Sequence, residues 1–348
     1  MEEFQEIAQA GGKITFSANG APGYSFSKPL PVTIYFLAAS FNGYIYGFVD
    51  AVGLGQKFQK PDPSILVFMV SDSHGMFGRK CPRCGLYHRA NAFGDGLYCP
   101  YCNHHDSIVE FLTDNQKEYV SAYLHTFLEA WKKREEIEID LDAIVAELKD
   151  NTYKFVYKEE KQQNQYSCKD CHGLSRDVVG EYSSCPACGK RNTYEIFSEK
   201  ISKLQSQLDS AEQNDLLFKA VAHFDGMGSD IKTLLQYLPA TSQRKRELSR
   251  LSFQRIMDAA DSLLYWFGIN LFKGIPDDDK EFVSLMFNRR HLIAHNAGVA
   301  DKIYLNATND HTVRERQLIR IDKKDNSRLL TILKSMSKNL VDGWESIS

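Results

Sequence analysis

The eight cysteines constrain this chain of 348 residues more than any other feature, because all of them fall in four C-x-x-C pairs. The first two pairs are separated by 14 residues and the last two by 13. A tight C-x-x-C turn aims two thiolates at one point, and two such turns complete the tetrahedral shell of a zinc ion. We therefore expect two structural Zn²⁺ ions. The expected ligands are Cys81, Cys84, Cys99 and Cys102 for the first ion, and Cys168, Cys171, Cys185 and Cys188 for the second.

Each four-cysteine segment is predicted to be a zinc ribbon, and the two ribbons are related by an internal repeat. The cysteines of the first ribbon recur 86 or 87 positions further along the chain. Proline after the first cysteine of a pair and glycine after the second, as at Pro82 and Gly85, suit a knuckle turn. Residues 94–96 and 180–181 contain glycine where the hairpin of each ribbon would turn. Two separate ribbons are thus expected rather than one interleaved cluster.

Other uses of these cysteines agree less well with the pattern. Disulfides need an oxidising compartment, and the acidic start Met1-Glu2-Glu3 does not resemble a secretory leader. A catalytic zinc keeps one position open and usually has histidine or carboxylate in its shell, whereas four thiolates fill the shell. Four histidines near the cysteines are therefore interpreted as surface or supporting residues rather than as ligands. They are His88, His104, His105 and His172.

Charge and hydrophobicity limit the class of protein. The net charge of −3 excludes a polycation that coats nucleic acid, so any contact with nucleic acid must come from a local patch. No apolar run approaches the roughly 20 residues that span a bilayer. A cytoplasmic protein without membrane segments is expected.

The first ribbon is the better candidate for such a patch, because basic and aromatic residues alternate in it. Basic groups can meet phosphates while aromatic rings stack on bases. The alternative is that the aromatic residues form the small core of a ribbon that only stabilises its surroundings, and both interpretations stay open. The basic residues are Arg79, Lys80, Arg83 and Arg89, and the aromatic residues are Tyr87, Phe93, Tyr98 and Tyr101.

The sequence divides into five parts of different character, which together predict an α+β multidomain protein. Strand-like segments dominate the N-terminal part, whereas helical periodicity dominates the C-terminal part. The predicted divisions are a strand-rich domain at 1–75, zinc ribbon 1 at 76–106, a helical connector at 107–157, zinc ribbon 2 at 158–194 and a helical domain at 195–348.

Strands and helices within the first half are placed by their hydrophobic patterns. Strands are predicted at 13–18, 32–37, 44–49 and 65–70, and helices at 114–133 and 141–148. The helix at 114–133 carries an aromatic stripe at helical spacing, which is typical of a core-facing side. The stripe consists of Tyr119, Tyr123, Phe127 and Trp131.

The C-terminal part is predicted to be an antiparallel bundle of four or five helices. One helix begins near Ile201, and others are expected at 216–238, 246–267, 278–295 and 326–344. Asp278 followed by Glu281 resembles a capping box, and Gly298 is placed to end that helix. A short extended piece is expected at 317–321.

The helix at 278–295 ends in the motif that could carry chemistry. Arg290 and His295 form R-x4-H, with the polar His291 directly after the arginine and Asn-Ala-Gly after the final histidine. The stretch from Asn288 to Leu305 reads Asn-Arg-Arg-His-Leu-Ile-Ala-His-Asn-Ala-Gly-Val-Ala-Asp-Lys-Ile-Tyr-Leu. In this stretch, and over about residues 195–348, the chain resembles the HEPN domains of bacterial and archaeal toxins and defence ribonucleases.

That resemblance implies a four- or five-helix bundle that dimerises with both motifs facing each other. It further implies metal-independent cleavage of RNA that leaves a 2′,3′-cyclic phosphate. Imidazole titrates near neutrality, so His295 suits proton transfer at the ribose 2′-OH or the leaving oxygen. Arg290 suits the stabilisation of charge on phosphate oxygens. About 140° separates the two on a regular helix, so a two-fold mate could supply the complementary pair.

Three further residues are candidates for substrate binding. They are Arg289, His291 and Asn296. Arg289, one position further from His295, is the alternative to Arg290 as the catalytic arginine. Arg290 is preferred because the polar residue His291 follows it directly. His291 shares a helical face with His295, and Asn296 could orient His295 or simply end the helix.

Two functional hypotheses follow from different classes. The first is an endoribonuclease of the HEPN type, in a toxin or anti-phage defence system, whose zinc ribbons sense a signal or bind nucleic acid. Its expected partners are an RNA substrate, a second copy of the chain and an unidentified regulatory or antitoxin protein. The alternative is a non-catalytic zinc-ribbon adaptor that binds nucleic acid or protein and uses the helical domain only to dimerise.

Overall fold

A computed structural model describes most of the chain as two compact units, Met1–Arg191 and Asn192–Ser348. The first unit is rich in strands and contains both four-cysteine segments, and the second is helical, which confirms the predicted α+β layout. The described residues are 4–6, 12–16, 22–26, 34–52, 63–70, 77–90, 96–133, 136–147, 157–159, 164–177, 182–308 and 310–347.

The strands of the first unit are short and antiparallel. Their bounds are β1 Phe4–Glu6, β2 Gly12–Phe16, β3 Pro22–Phe26, β4 Ile34–Ala39, β5 Ile45–Val52, β6 Ile65–Val70, β7 Phe77–Lys80, β8 Tyr87–Ala90, β9 Leu97–Tyr98, β10 His105–Asp106, β11 Ile137–Asp140, β12 Tyr157–Glu159, β13 Asn164–Ser167 and β14 Leu174–Asp177. They form sheets in the orders β1-β12, β10-β9, β11-β2-β3, β13-β14-β8-β7 and β5-β4-β6.

The sheet β5-β4-β6 and helix α1 (Asp114–Lys133) share a core, and a short α2 (Leu141–Glu147) follows β11. The rings of Phe36 and Phe68 meet edge to face at 4.8 Å, and Phe16 packs between Phe68 and Phe127. The hydroxyl of Tyr119 donates to the carbonyl of Phe68 at 2.9 Å, which joins the helix to β6. The helix and β6 have the predicted bounds, because their apolar patterns are long and regular.

The predicted aromatic stripe on α1 is a core-facing side along three of its four members. Tyr119, Tyr123 and Phe127 are buried, whereas Trp131, near the end of the helix, is 59% exposed. Burial raises the pKa of Tyr119 and Tyr123 above the usual range, so both phenols remain neutral.

The second unit contains seven helices within its described residues. Their bounds are α3 Thr193–Ser206, α4 Gln213–Leu235, α5 Ser242–Ser249, α6 Ile256–Phe267, α7 Asp277–Asn296, α8 Lys302–Thr308 and α9 Lys323–Glu345. Helix α4 packs against α3, α7 and α9. Phe224 lies at the centre of this core, with the rings of Phe197, Phe253 and Phe287 at 5.9, 6.1 and 6.4 Å.

The prediction of one continuous helix at 246–267 is wrong. The chain leaves the helix after Ser249 and resumes it at Ile256. Phe253, between the two, is buried against Gly228, where an added Cβ would lie 2.3 Å from the phenyl ring. The ring can approach the bare backbone of α4 so closely only if the chain bends there.

Helix α7 begins differently from the predicted capping pattern but ends next to the predicted stop at Gly298. Pro276 occupies the N-cap position without a side-chain cap, so Asp278 does not form the predicted capping box. A capping box does exist at the start of α9, where Asp322 and Asp325 exchange bonds with each other's backbone N–H groups. At the end of α7 the left-handed position falls on Ala297 (φ 49°) as well as on Gly298 (φ 77°).

The segment after α7 folds back on itself. Val299 pairs with Leu318 in an antiparallel bridge, and the backbone N–H of Ile319 donates to the carbonyl of Gly298 at 2.8 Å. Of the extended piece predicted at 317–321, the structure shows this single bridge at Leu318 and no longer strand, and the short helix α8 within the segment was not predicted. Among the described residues, none of the helices combines the length and apolar character needed to cross a bilayer.

Candidate metal centres and a candidate catalytic cleft

The first four-cysteine group brings its ligand atoms to one point. The Sγ atoms of Cys81 and Cys102 are 3.6 Å apart, and those of Cys84 and Cys99 are 3.7 Å apart. All four Sγ atoms lie within 4.8 Å of one another. A tetrahedral zinc ion with Zn–S bonds of ~2.3 Å requires S–S separations of about 3.8 Å, so the group has the size of a zinc shell.

The second group has the same arrangement. The Sγ atoms of Cys168 and Cys188 are 3.6 Å apart, and those of Cys171 and Cys185 are 3.4 Å apart. These four atoms also lie within 4.8 Å of one another. The two groups confirm the predicted pairing of the cysteines, and each could hold one structural zinc ion.

Each of the four C-x-x-C turns is held by the same pair of backbone hydrogen bonds. In the first turn the N–H of Cys81 donates to the carbonyl of Leu86 at 3.0 Å, and the N–H of Gly85 donates to the carbonyl of Cys81 at 2.9 Å. The residue after the second cysteine has positive φ in all four turns. In chain order, these four residues are Gly85, Asn103, His172 and Gly189. The sequence therefore folds into knuckles even where glycine is missing, because the two bonds fix the turn.

The nearby histidines are not members of either group. His172 supplies a left-handed turn position, and His104 lies 3.3 Å from a carboxylate oxygen of Asp106. His88 is fully buried against the rings of Tyr101 and Phe111, and this burial, together with the positive charge of Arg79, lowers the pKa of His88 to about 3. Four thiolates complete a tetrahedral shell, so both centres are of the structural type.

The two ribbons are joined into one sheet. Strand β14 of the second ribbon pairs with β8 of the first, and Arg176 stands opposite Arg89. These two residues are equivalent positions of the sequence repeat. The N–H of Tyr98 donates to the carbonyl of Pro186, and the N–H of its equivalent, Ser184, donates to the carbonyl of Pro100, both at 2.9 Å.

Reciprocal contacts between equivalent positions are the mark of a two-fold axis. The internal repeat therefore forms a pseudo-dimer of ribbons within one chain. The predicted hairpin turns at 94–96 and 180–181 fall, except for Gly96, outside the described residues, so the pairing of the strands carries this conclusion.

The basic patch predicted on the first ribbon is only partly at the surface. Arg79 and Arg89 are 0% and 1% exposed, so these two side chains cannot meet a phosphate of a bound strand. Lys80 and Arg83 are exposed, and Phe93 lies outside the described residues. Half of the predicted cations are thus part of the interior of the ribbon.

Arg289 lies in the interior of the helical unit. Its Nε and Nη2 atoms donate to Asp310 Oδ2 at 3.1 and 2.9 Å, and Nη2 also donates to Thr312 Oγ1 at 2.8 Å. Its Nη1 lies 3.5 Å from a carboxylate oxygen of Asp325. Because the guanidinium is fully engaged within the domain, this geometry argues against the predicted role of Arg289 in substrate binding.

The groups around Arg289 shift each other's titration. Burial alone would raise the pKa of Asp310, but hydrogen bonds from Thr312, Tyr304 and Arg289 lower it to about 2. Burial, and then the bond from its hydroxyl to Asp310 Oδ2 at 2.5 Å, raise the pKa of Tyr304 to about 12. The carboxylate is therefore charged and the phenol neutral near pH 7.

Arg290, the next residue, points to another environment. Its Nη1 donates to Gln254 Oε1 at 3.2 Å, and its guanidinium lies over the ring of Phe218 at 5.2 Å. Its Nε is buried and makes no hydrogen bond with the described residues. Gln254 in turn donates to Asp225 Oδ2 at 3.0 Å. Arg290 is thus held at the junction of α4 and the bend between α5 and α6.

His291 and His295 lie beside a polar cleft of about 520 Å³ at the end of α7. Both side chains are exposed, and their ring centroids are 4.5 Å apart. Asn296 is turned away, since its Nδ2 donates to the carbonyl of Val299 at 2.7 Å. The cleft is lined by Ser252, Gln254, Arg255, Ile256, Met257, Asp258, Ser284, Phe287, Asn288, His291 and His295.

The structure thus brings three of the five predicted site residues to one region. His291 and His295 line the cleft, and Arg290 reaches it through Gln254, whereas Arg289 and Asn296 are engaged elsewhere. The opposite wall, which includes Gln254 and Arg255, was missed because the sequence pattern predicted a continuous helix through the bend.

Comparison of the chain with models of known families, with curated proteins and with solved structures gives no match. The sites are therefore interpreted from their own geometry and chemistry.

Proposed function

We propose that the helical unit is an endoribonuclease of the HEPN type that cleaves RNA without a catalytic metal ion. The observation that carries this proposal is the meeting of His291 and His295 with the Arg290–Gln254 contact at one polar cleft. Imidazoles and a guanidinium at a cleft open to solvent are the groups needed to move a proton and to stabilise a phosphorane-like transition state.

In the proposed reaction the ribose 2′-oxygen attacks the adjacent phosphorus, and the bond from phosphorus to the 5′-oxygen breaks. His295 takes the proton of the 2′-OH, and Arg290 stabilises the charge on the non-bridging oxygens. The leaving 5′-oxygen takes up a proton supplied by His295 of a second copy of the chain. The products are a 2′,3′-cyclic phosphate and a 5′-hydroxyl end.

The two zinc centres belong to the architecture of the other unit in this proposal. Their shells are filled by four thiolates each, and no step of the reaction uses them. Brief exposure to EDTA should therefore leave cleavage intact, because the nucleophile belongs to the RNA. A DNA strand lacks the 2′-OH and should not be cut. A role in toxin or anti-phage defence rests on the family resemblance alone.

The test is an in vitro cleavage assay on RNA with single substitutions at the cleft. His295→Ala and Arg290→Ala should each lower the rate at least a hundredfold, the usual scale for the loss of an acid–base or oxyanion-stabilising group. Arg290→Lys should also fail, since an ammonium group lacks the planar two-pronged grip on phosphate. His311→Ala is the matched control, because His311 is exposed in the same unit but lies outside the cleft.

A second function, that of a non-catalytic adaptor that binds nucleic acid or protein, is favoured by a different observation in the first unit. Tyr44 and Tyr46 are exposed, their rings meet edge to face at 5.3 Å, and both line a cleft of about 460 Å³ with Asp106 and Glu110. Exposed aromatic residues beside charged groups are typical of binding surfaces. Cleavage that survives both His295→Ala and Arg290→Ala would favour this adaptor function over catalysis by the cleft.

A further inference from the structure

The chain is acidic as a whole, but residues 241–255 form a strongly basic segment. This segment, called the basic arm here, comprises α5 and the bend that follows it. It contains five cations and one carboxylate, whereas the whole chain has a net charge of −3. The cations are Arg244, Lys245, Arg246, Arg250 and Arg255, and the carboxylate is Glu247.

We propose that the basic arm binds the phosphates of single-stranded RNA and leads the strand into the cleft at His291 and His295. The inference rests on the proposed function, because it assigns the substrate-binding surface of the same site.

The cations of the arm are available to a ligand. Lys245, Arg246, Arg250 and Arg255 are exposed, and within the described part of the chain none of them forms an ion pair. The single carboxylate, Glu247, is already engaged. Its Oε2 lies 3.7 Å from Arg244, and its Oε1 accepts a bond from Gln243 at 3.0 Å.

The positive charge does not serve the stability of the helices. Of the eight residues of α5, only Leu248 is buried, so the helix is a surface element. Arg246 and Arg250 are four positions apart, where like charges repel. Arg255 occupies the N-cap position of α6 without a side-chain bond, and a cation there opposes the partial positive charge of the helix start. An anionic ligand would relieve both repulsions.

Aromatic rings lie beside these cations. The guanidinium of Arg244 is 5.1 Å from the ring of Trp266 and 5.7 Å from that of Tyr265, which places α5 next to the end of α6. Tyr265 is 82% exposed. Proteins that bind single strands combine a cationic track for the backbone with aromatic rings on which unstacked bases lie. A paired strand would not offer such bases, so the single strand is the favoured ligand.

The arm runs directly into the cleft. Ser252, Gln254 and Arg255 belong to the arm and also line the cleft beside His295. Five residues of extended chain span at most ~18 Å, so the backbone of Arg250 lies within that distance of the backbone of Arg255 in the cleft wall. A strand bound along α5 would thus continue towards the two histidines without leaving a cationic surface.

Binding is measured by fluorescence anisotropy with a labelled 20-nucleotide 2′-O-methyl RNA, which lacks the nucleophile and cannot be cleaved. The full-length protein is compared with the variant Lys245→Ala/Arg246→Ala/Arg250→Ala. The matched control, Lys203→Ala/Lys273→Ala/Lys324→Ala, removes the same charge from exposed lysines of the same unit. Each titration is repeated at several salt concentrations.

We expect the arm variant to bind about a hundredfold more weakly at 0.1 M salt, and the slope of log K against log salt to shrink by about 2. Each phosphate contact to a single strand contributes ~0.7 to this slope, so the loss of three contacts lowers the slope by about 2. A change of about 2 in slope corresponds to about a hundredfold in affinity for each tenfold change in salt concentration. Tyr265→Ala should cost about a further tenfold through lost stacking, whereas the lysine control should bind like the parent protein. Equal affinities of the arm variant and the control, or no binding by the parent protein, would overturn the inference.

Cleavage of ordinary RNA separates this inference from the proposed function. The arm variant should raise KM and leave kcat within a few-fold, since the groups that react are intact. His295→Ala should abolish kcat and leave the binding of 2′-O-methyl RNA unchanged. If the parent protein binds RNA through the arm but cuts none, the proposed function fails while the binding surface stands.

Discussion

Arg289 and Asp310 form a two-pronged ion pair in the interior of the helical unit, with Nη2 of the arginine 2.9 Å from Oδ2 of the carboxylate. The pair joins α7 to the segment that follows α8, and through Asp325 it also reaches the first turn of α9. Two neighbours in sequence thus differ in role, since Arg289 holds the fold whereas Arg290 contacts Gln254 in the wall of the cleft.

The first prediction concerns this division of roles. Arg289→Ala should lower the free energy of unfolding of the helical unit by about 3–5 kcal/mol, because it leaves the carboxylate of Asp310 buried without a counter-charge. Arg290→Ala, at a half-exposed position, should change it by less than about 1 kcal/mol. Urea unfolding followed by circular dichroism measures both. Equal losses for the two variants would contradict the assignment.

The second prediction concerns acid. The pKa of Asp310 is lowered to about 2 from an ordinary value of 3.8, so its contribution to stability is present above about pH 4. The contribution, roughly 2 kcal/mol, is lost as the pH falls towards 2, because the unfolded state binds the proton more readily. The difference in unfolding free energy between the parent protein and Asp310→Asn should therefore narrow over this range. If the difference in unfolding free energy does not change with pH, the charge of the Asp310 carboxylate is not the source of that difference.

The third prediction concerns metal. Elemental analysis should find two zinc ions per chain, since two groups of four cysteines have the size of zinc shells. Prolonged chelation should increase hydrogen exchange in the first unit, because the folding energy of a ribbon comes largely from its metal. The helical unit contains no cysteine and should keep its exchange protection. One zinc ion per chain, or disulfides in the pure protein, would refute the assignment.

The shared sheet extends this prediction to a variant. Cys168→Ser/Cys171→Ser removes two ligands of the second centre only. Because β14 pairs with β8, hydrogen exchange should also increase in the first ribbon, although its own ligands remain. Unchanged exchange at β8 would mean that the ribbons fold independently.

The fourth prediction concerns assembly. The proposed reaction needs a second histidine from a two-fold mate, so the protein should be a dimer at micromolar concentration by light scattering. Mixing parent chains with an excess of His295→Ala chains should suppress cleavage by the parent chains, because a mixed dimer holds only one of the two histidines that the reaction needs. A monomer that cleaves RNA at full rate would show that one chain suffices.

The metal centres could be predicted from the sequence because their information is local. The spacing of a C-x-x-C pair and the letters beside it define the turn, and Asn103 and His172 show that even the left-handed position tolerates substitution. Helix α1 and strand β6 were predicted with their bounds for a similar reason, since a long regular apolar pattern determines each element.

The parts that the sequence did not predict depend on contacts between distant residues. The bend between α5 and α6 exists because Phe253 packs on Gly228, and a periodic pattern of apolar residues cannot show this contact. Arg79 and Arg89 look like surface cations in sequence, yet both are buried. The start of α1 lies against β7, since Gln116 Nε2 donates to the carbonyl of Gly78 at 2.7 Å, and a pattern of charges cannot show such a contact. Since Gln254 and Arg255 lie in the bend, one wall of the cleft was missed with it.

The pairing of β8 with β14 has a kinetic consequence. It joins residues more than eighty positions apart. A large loop must therefore close, with a loss of chain entropy, before the hydrogen bonds between these strands can form. The helical unit is built mainly from contacts between helices, and its turns form locally and quickly. Although the ribosome makes the helical unit after the ribbons, we expect the helical unit to reach its final structure first.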